Sequence, residues 1–339
     1  MGIGAYKMLA LTLPAHDPLG VLRSTLPVVQ KARQVHLNLA RVEALAARWA
    51  EAGWHTPAWD AALHFNDGTE RTLNWMLLVD ALNFCFWGEA NQPRWAVEYR
   101  GQTYNGYMAE AASLMRALDE GYPLWDAGYL AELSEADLRH IFRPAPGMPE
   151  IPLFAERLAN AREVGRVLLA KYEGQCARVV EVAGGNAIAL ARRIIEDFAS
   201  FNDVSAYDST EVRFYKRAQI CVADIHGTFG GQGWGRLQDL NQLTIFADYK
   251  LPQVLRQEGV LVYGADLAAR VDSLELLPAG SPEEVEIRAA TIWAGELLRR
   301  ALGARGVRAL ASEIDYYLWT LSQTAPDMQP YHRTRTTYY

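Results

Sequence analysis

The chain has 339 residues, of which 50% are hydrophobic and 22% are charged, and its net charge at pH 7 is −7. This length and composition support a large buried core and leave room for two lobes. The acidic balance argues against a protein that binds duplex nucleic acid, because such proteins carry a basic surface that displaces counterions from the phosphates. A small nucleotide, which needs only one or two cations, fits this charge better.

The cysteine and histidine patterns argue against a disulfide framework and a metal site. Cys85, Cys176 and Cys221 lie far apart without a CxxC pair, which is typical of a reducing compartment. The seven histidines form no HExxH motif and no pair at i, i+4. The apolar run within the first 18 residues is shorter than a membrane-spanning helix. We therefore expect a soluble cytoplasmic protein with no metal, no organic cofactor and no membrane partner.

Helical periodicity dominates the first half of the chain. Residues 41–52 carry apolar side chains at i, i+3, i+4 and i+7, and residues 107–120 form another predicted helix. Residues 72–87 are nearly all apolar, which predicts a helix buried on every side. Residues 94–104 alternate around an Arg-Gly pair, which predicts one small β hairpin. Ser134 is expected to cap a helix that runs to residue 142.

The segment 143–152, with four prolines and a glycine, is the predicted boundary between two lobes. Periodicity after it predicts further helices at 153–171, 185–200, 210–224, 237–247, 252–259, 282–302 and 308–322. We expect a mainly α protein with an N-terminal helical lobe, 1–145, that contains the hairpin, and a second helical lobe, 150–339. The two lobes should share a continuous core.

The stretch 212–255 is the most informative part of the chain. A basic helix is followed by the glycine-rich loop 227–235, a short apolar helix, and then Asp248 before the next helix. Helix-hairpin-helix base-excision glycosylases use this order, which predicts a glycosylase-like core. The glycine-rich loop follows a helix and lacks a GK[ST] ending, so it matches neither a P-loop nor a dinucleotide fingerprint. We interpret it as a flexible connector.

Asp248 has two interpretations from its position alone. Aspartate is a preferred N-cap, and Asp248 stands at the start of a predicted helix. The same geometry orients a carboxylate through backbone amides and keeps it ionised through the helix dipole. Such a group could stabilise the electron-poor, oxocarbenium-like transition state of ribosyl hydrolysis.

Lys216, Arg217 and Asp224 lie on the basic helix, and each also has two interpretations. The two cations could be solvated surface charges or a clamp for a phosphate. Successive helical positions point about 100° apart, so only one of them can face the phosphate well, and we select Lys216. Asp224 shares a face with Lys216, either as a structural ion pair or as a second active-site carboxylate.

Aromatic residues at two other places could hold a nucleobase. Asn83, Phe84 and Trp87 close the apolar helix, where they are either core residues or a platform that stacks on a base and reads its edge. The aromatic and basic tail after Pro330 is expected to dock on the protein rather than to remain disordered. Asp315 and Trp319, at i, i+4, share one helix face. Glu286 and Arg288 lie two positions apart and should not pair.

Six ordered blocks give the chain a family resemblance: LNFCFWGE, FYKRAQICVAD, TIFADYKLPQ, VEIRAATIW, DYYLW and HRTRTTYY. Together they resemble the queuosine salvage family, which is similar to DNA glycosylases in fold and hydrolyses queuosine 5′-monophosphate to release queuine. The resemblance covers residues 74–339. It implies that Asp248 is catalytic and that the substrate-binding residues are Asn83, Phe84, Trp87, Lys216, Asp224, Tyr249, Asp315, Trp319, His332 and Arg333.

Two other functions remain open at this point. A DNA base-excision glycosylase would share the hairpin order, but the negative charge and the lack of a four-cysteine cluster pattern oppose it. A non-catalytic protein that binds a modified base or nucleoside would need the aromatic pocket without turnover. The implied partners are the nucleotide and free queuine, with no nucleic acid polymer.

Overall fold

The computed structural model describes residues 11–57, 62–325 and 327–339. Within these residues the protein is mainly α, as predicted, but its strands form three small antiparallel pairs where one hairpin was predicted. The first ten residues, which include the start of the N-terminal apolar run, lie outside the described part. No described helix is both long enough and apolar enough to cross a membrane.

The helices occupy α1 Val21–Lys31, α2 Leu39–Glu51, α3 Glu70–Leu82, α4 Gly106–Asp119, α5 Ala127–Ala131, α6 Glu135–Ile141, α7 Phe154–Tyr172, α8 Cys176–Val182, α9 Ala187–Asp197, α10 Lys216–Thr228, α11 Lys250–Gln257, α12 Ala265–Asp272, α13 Pro282–Gly303 and α14 Ala311–Thr324. The strands are β1 Val35–Leu37, β2 Ala96–Tyr99, β3 Gln102–Asn105, β4 Val204–Tyr207, β5 Thr210–Arg213 and β6 Leu261–Tyr263. Strand β1 pairs with β6, β2 with β3, and β4 with β5.

Most of the predicted elements are confirmed. The hairpin predicted over 94–104 is β2–β3, which turns at Arg100 and Gly101, both with positive φ. Ser134 accepts a hydrogen bond from the Asp137 amide and so caps α6, as expected. Every residue of α3 from Thr72 to Leu82 is buried, which confirms the prediction of a helix enclosed on all sides. The predicted end at residue 87 is wrong, because the helix ends at Leu82 and Cys85 has a positive φ.

Two predictions about the informative stretch are wrong. Residues 210–213 form strand β5 of a hairpin around Asp208 and Ser209, both with positive φ, and the basic helix begins only at Lys216. The helix predicted over 237–247 does not form. This range contains a single 3₁₀ turn, at Leu240–Gln242. Residues 243–249 are all buried without regular secondary structure, so their apolar character reflects burial and not helical periodicity. The helix-hairpin-helix core stays a prediction.

The chain forms two compact units. The first comprises the described residues up to Pro57, together with Val204–Phe214 and Asn241–Arg333. Its core is built around α13, which packs against α1, α2, α11 and α14. The strand pairs β1–β6 and β4–β5 belong to this unit.

The second unit comprises the described residues of Ala58–Asp203, with Tyr215–Leu240 and Thr334–Tyr339. Helix α3 is its centre and packs against α7, α8 and α10. The segment 143–152 lies inside this unit. The boundaries predicted for two lobes, 1–145 and 150–339, stay a prediction.

Candidate active site

Asp248 lies two residues before the first residue of α11, in the first unit, and is 9% exposed. Its Oδ1 accepts hydrogen bonds from the backbone amides of Lys250, at 2.7 Å, and Leu251, at 2.9 Å. The first amides of a helix have no partner within it, and the helix dipole favours a negative charge at this end. Asp248 therefore caps the start of α11, and these two hydrogen bonds give its carboxylate a defined orientation. The catalytic role stays a prediction that this geometry permits.

The residues just before Asp248 are held by side chains from distant helices. Asp315 Oδ1, on α14, accepts a hydrogen bond of 2.6 Å from the Phe246 amide. Arg288 Nε, on α13, donates one of 3.2 Å to the Ala247 carbonyl. Sequence reasoning missed Arg288 as part of this site. An arginine inside the apolar run VEIRAATIW was the available signal, since a buried charge needs a partner.

Tyr249 and the C-terminal segment pack beside the start of α11. The Tyr249 and Tyr331 ring centres are 4.8 Å apart, and Lys250 Nζ lies 5.2 Å from the centre of the Tyr331 ring. Gln253 donates a hydrogen bond of 2.6 Å to the Gln329 carbonyl. These contacts confirm that the start of the tail docks on the protein, within the first unit.

His332 and Arg333 continue this docked segment and are both buried. Burial, with the positive charge of Arg288 as a smaller cause, lowers the pKa of His332 to about 3. The imidazole is therefore neutral at physiological pH and can read a substrate only as a neutral group. Arg333 donates to the Leu274 carbonyl at 3.0 Å, which holds the segment in place. Substrate binding by either residue stays a prediction.

Asp315 and Trp319 lie on α14, as predicted, and the carboxylate is buried while the indole is partly exposed. The Trp319 ring stacks on Tyr316, with centres 6.1 Å apart and planes 12° apart. On the neighbouring helix α13, Arg288 pairs with Glu284, 3.8 Å away, while Glu286 accepts hydrogen bonds from the amides of residues 33–35 and from Tyr207. The expectation that Glu286 and Arg288 do not pair agrees with these contacts.

In the second unit, Lys216 and Asp224 belong to a buried group of charges that also includes Asp80 and Glu110. Burial raises the pKa of Asp80 to about 7 and that of Glu110 to about 8, while the charge of Lys216 opposes both shifts. The pKa of Asp224 is raised well above its usual range by burial and by Asp80. The interpretation of Lys216 and Arg217 as solvated surface charges is therefore wrong.

Asp80 and Glu110 are candidate functional residues that sequence reasoning missed. Both side chains are 0% exposed, and each belongs to a helix whose neighbouring residues are mostly apolar. An acid inside such a run was the signal that could have found them, because burying an ionised carboxylate is costly. The assignment of Lys216 to the 5′-phosphate stays a prediction.

Asn83, Phe84 and Trp87 follow the end of α3 and are 8%, 0% and 3% exposed. The guanidinium carbons of Arg157 and Arg217 lie 4.2 Å and 5.3 Å from the centre of the Phe84 ring. These contacts favour the interpretation of Phe84 as a core residue. A base-stacking role for Trp87 and a base-reading role for Asn83 stay predictions.

The candidates are thus divided between the two units. Asp248, Tyr249, Asp315, Trp319, His332 and Arg333 belong to the first unit, and Asn83, Phe84, Trp87, Lys216 and Asp224 to the second. Within the described residues, no group of three or more His, Cys, Asp or Glu side chains is placed to hold a metal ion.

Comparison with known proteins adds a family and several relatives. The profile of the family described as queuosine salvage protein matches residues 63–339. A relative from Sphaerobacter thermophilus, named queuosine 5′-phosphate N-glycosylase/hydrolase, is 48% identical over 324 residues, covering 95% of this chain and 98% of the relative. Relatives of the same name from Mus musculus and Bos taurus are each 37% identical, over 95% and 92% of this chain and 99% and 96% of their own lengths.

Proposed function

The chain belongs to the queuosine salvage protein family, and we propose that it hydrolyses the N-glycosidic bond of queuosine 5′-monophosphate to release the free base queuine. The activity named for its relatives supports this proposal, because they match nearly the whole chain. The structural observation that carries it is the orientation of Asp248, whose Oδ1 is held by two amides at the start of α11. A carboxylate held in this way is suited to a site where positive charge develops.

Asp248 would act at the anomeric carbon of the ribose. As the bond from C1′ to the base nitrogen breaks, the sugar becomes oxocarbenium-like and the base takes the bonding electrons. The negative carboxylate stabilises that cation and either directs a water to C1′ or attacks it first. In both routes the water oxygen ends on C1′, one of its protons goes to the base, and the products are queuine and ribose 5-phosphate.

The leaving base poses its own problem. Queuine is a 7-deazaguanine, so a carbon stands where a purine has N7, and protonation at that position cannot assist departure. Hydrogen bonds to O6, N1 or N3 must therefore strengthen as negative charge grows on the ring. The secondary amine of the base is cationic at neutral pH, so the proposal includes an acidic residue near it.

The proposal places the reaction in the cytoplasm. Cys85, Cys176 and Cys221 are buried free cysteines, which suits a reducing compartment. The substrate would be a small nucleotide, not a polymer, in line with the net charge of −7.

The proposal is tested by incubating the purified protein with queuosine 5′-monophosphate and separating the products by chromatography. We expect queuine and ribose 5-phosphate in equal amounts, with the sugar carrying ¹⁸O when the reaction runs in labelled water. Guanosine 5′-monophosphate is the control for the base. Binding of the nucleotide without any product would instead indicate a non-catalytic binding protein.

A second experiment distinguishes hydrolysis of the nucleotide from excision of a base from duplex DNA. A protein that acts on duplex DNA should bind it with an affinity that falls steeply as salt increases. We expect no such binding to a duplex that contains a modified base. Excision from that duplex at a rate above that on the nucleotide would overturn the proposal.

A further inference from the structure

The residues before Asp248 have an unusual hydrogen-bonding arrangement for a buried segment. Residues 243–249 are all buried and form no helix or strand, so their backbone groups cannot be satisfied by a regular ladder. Two of these groups are bound by ionisable side chains from other elements. The Phe246 amide donates to Asp315 on α14, and the Ala247 carbonyl accepts from Arg288 on α13.

Both side chains are themselves held in place. Arg288 is 2% exposed, its Nε lies 3.8 Å from Glu284 Oε1, and its guanidinium carbon is 3.9 Å from the centre of the Phe214 ring. Asp315 is 6% exposed and projects from the first half of α14. Burying charged groups costs free energy, so both side chains need partners inside the protein. A hydrogen bond from or to a charged side chain is stronger than one between neutral groups, so these two side chains are suited to hold the segment in place.

The contacts fall on consecutive residues. A Cβ on Gly295 of α13 would lie 2.5 Å from Ile245 Cγ2, so Ile245 can pack this closely on α13 only because residue 295 is a glycine. Phe246 and Ala247 are bound by the two charged side chains, and Asp248 is bound by the α11 amides. Four successive residues are therefore held by three helices.

We propose that Asp315 and Arg288 are positioning residues. By binding the Phe246 amide and the Ala247 carbonyl, on either side of the Phe246–Ala247 peptide bond, they keep the Asp248 carboxylate in its reactive orientation. The inference rests on the proposed function, because it needs Asp248 to be the reacting group. It also changes the role of Asp315, which acts through Asp248 and not by contact with the substrate. A small displacement of a catalytic group lowers the rate of the chemical step, with little effect on substrate binding.

The test compares Asp315→Ala with Asp315→Asn, using queuosine 5′-monophosphate as the substrate. Asparagine keeps an oxygen that accepts from the Phe246 amide, whereas alanine removes it. We expect alanine to lower kcat by at least about tenfold with KM within about twofold, and asparagine to restore kcat to within about threefold of the original protein. A residue that binds the cationic base through its charge would behave differently: both changes would raise KM.

Arg288→Lys tests the second contact without removing the charge that faces Glu284. Lysine has a carbon where arginine has Nε, so the bond to the Ala247 carbonyl is lost, and we expect kcat to fall by about tenfold at an unchanged KM. Arg299→Lys is the matched control, because Arg299 lies on the same helix and pairs with Glu296. Thermal midpoints and near-UV circular dichroism establish that each variant is folded.

Asp248→Asn in the same assay separates the two claims. If Asp248→Asn keeps full turnover, the catalytic assignment fails and the positioning role fails with it. If Asp248→Asn is inactive but a folded Asp315→Ala keeps its kcat, only the positioning role is overturned. In the Asp248→Asn background we expect Asp315→Ala to reduce the residual rate by less than about twofold, because both changes act on one group.

Discussion

The guanidinium carbon of Arg157 lies 4.2 Å from the centre of the Phe84 ring. The same guanidinium donates to the carbonyls of Leu82, Phe84 and Cys85, which lie at and just beyond the end of α3. A helix leaves its last carbonyls without partners and carries negative partial charge there, so a buried arginine is a suitable cap. Phe84 thus belongs to the structure that ends α3 inside the second unit.

This contact separates the roles expected of two neighbouring aromatic residues. Phe84→Ala should lower the free energy of unfolding by about 3–5 kcal/mol through a cavity, and should leave the affinity for queuine unchanged. Trp87→Ala should weaken queuine binding by roughly 1–3 kcal/mol if the indole stacks on the base. Calorimetric titration and thermal unfolding on the same samples measure both quantities. Loss of stability at full affinity in Trp87→Ala would make Trp87 a core residue as well.

Asp248 should be replaceable by asparagine in the fold but not in the reaction. Asparagine caps a helix as well as aspartate does, so Asp248→Asn should unfold at nearly the same temperature. Its turnover should fall at least about a hundredfold, because the negative charge beside the anomeric carbon is lost. Asp248→Ala should show the same loss of turnover and a further loss of about 1 kcal/mol of stability. Near-normal release of queuine by either variant contradicts the assignment.

The predicted phosphate role of Lys216 can be measured with two substrates. Queuosine nucleoside should be a much poorer substrate than its 5′-monophosphate, because binding energy from the remote phosphate orients the ribose. Lys216→Ala should remove most of that preference and leave the rate on the nucleoside within about threefold. Lys171→Ala, at a lysine whose side chain is 51% exposed, is the control. Equal losses on both substrates would instead assign Lys216 to the charge network with Asp80, Glu110 and Asp224.

The buried carboxyl group of Glu110 should make stability depend on pH. Burial raises its pKa from 4.5 to about 8, so the folded protein keeps a proton that the unfolded chain releases. The protonated Glu110 carboxyl group therefore favours the folded state. Its contribution to the free energy of unfolding is fully present below about pH 4.5, declines as the pH rises and is lost above about pH 8. Glu110→Gln should therefore flatten the fall in the free energy of unfolding between about pH 5 and pH 9.

Urea titrations at several pH values measure this slope. Glu132→Gln is the control, because Glu132 is an exposed acid of the same unit. An unchanged slope in Glu110→Gln would show that Glu110 is ionised in the folded protein at neutral pH.

Two glycines in helices should respond in opposite directions to the same substitution. A Cβ on Gly165 of α7 would lie 2.2 Å from the Ala131 nitrogen and 2.5 Å from the Ala127 oxygen, so α5 would have to move. Gly165→Ala should destabilise the protein by about 1–3 kcal/mol or more. Gly303→Ala, where no described atom lies within 4 Å, should be neutral or stabilising by about 0.5 kcal/mol. Thermal unfolding of both variants is sufficient, and a stable Gly165→Ala would refute the close packing of α5 on α7.

Short-range patterns were enough to predict most of the helices and the hairpin β2–β3. Amphipathic spacing located α2, and the capping serine at residue 134 located the start of α6. The order of residues also indicated that Asp248 precedes a helix, and the six blocks indicated the family. These features act over a few residues, so they are legible without knowledge of the rest of the chain.

Only the tertiary structure decided how the remaining buried polar groups are satisfied. Asp315 is 69 residues from Phe246, and Arg288 is 41 residues from Ala247. No local pattern could therefore show that these side chains, and not a helix over 237–247, supply hydrogen bonds to the backbone there. Asp80, Glu110 and Lys216 likewise come from three helices, and only the fold places the charge of Lys216 where it opposes the rise in pKa that burial causes in the two carboxyl groups. Sequence periodicity indicates which residues are buried. Burial removes the hydrogen bonds that a polar group makes to water, and contacts between distant segments supply the replacements. The partner of a buried charge is therefore known only from the tertiary structure.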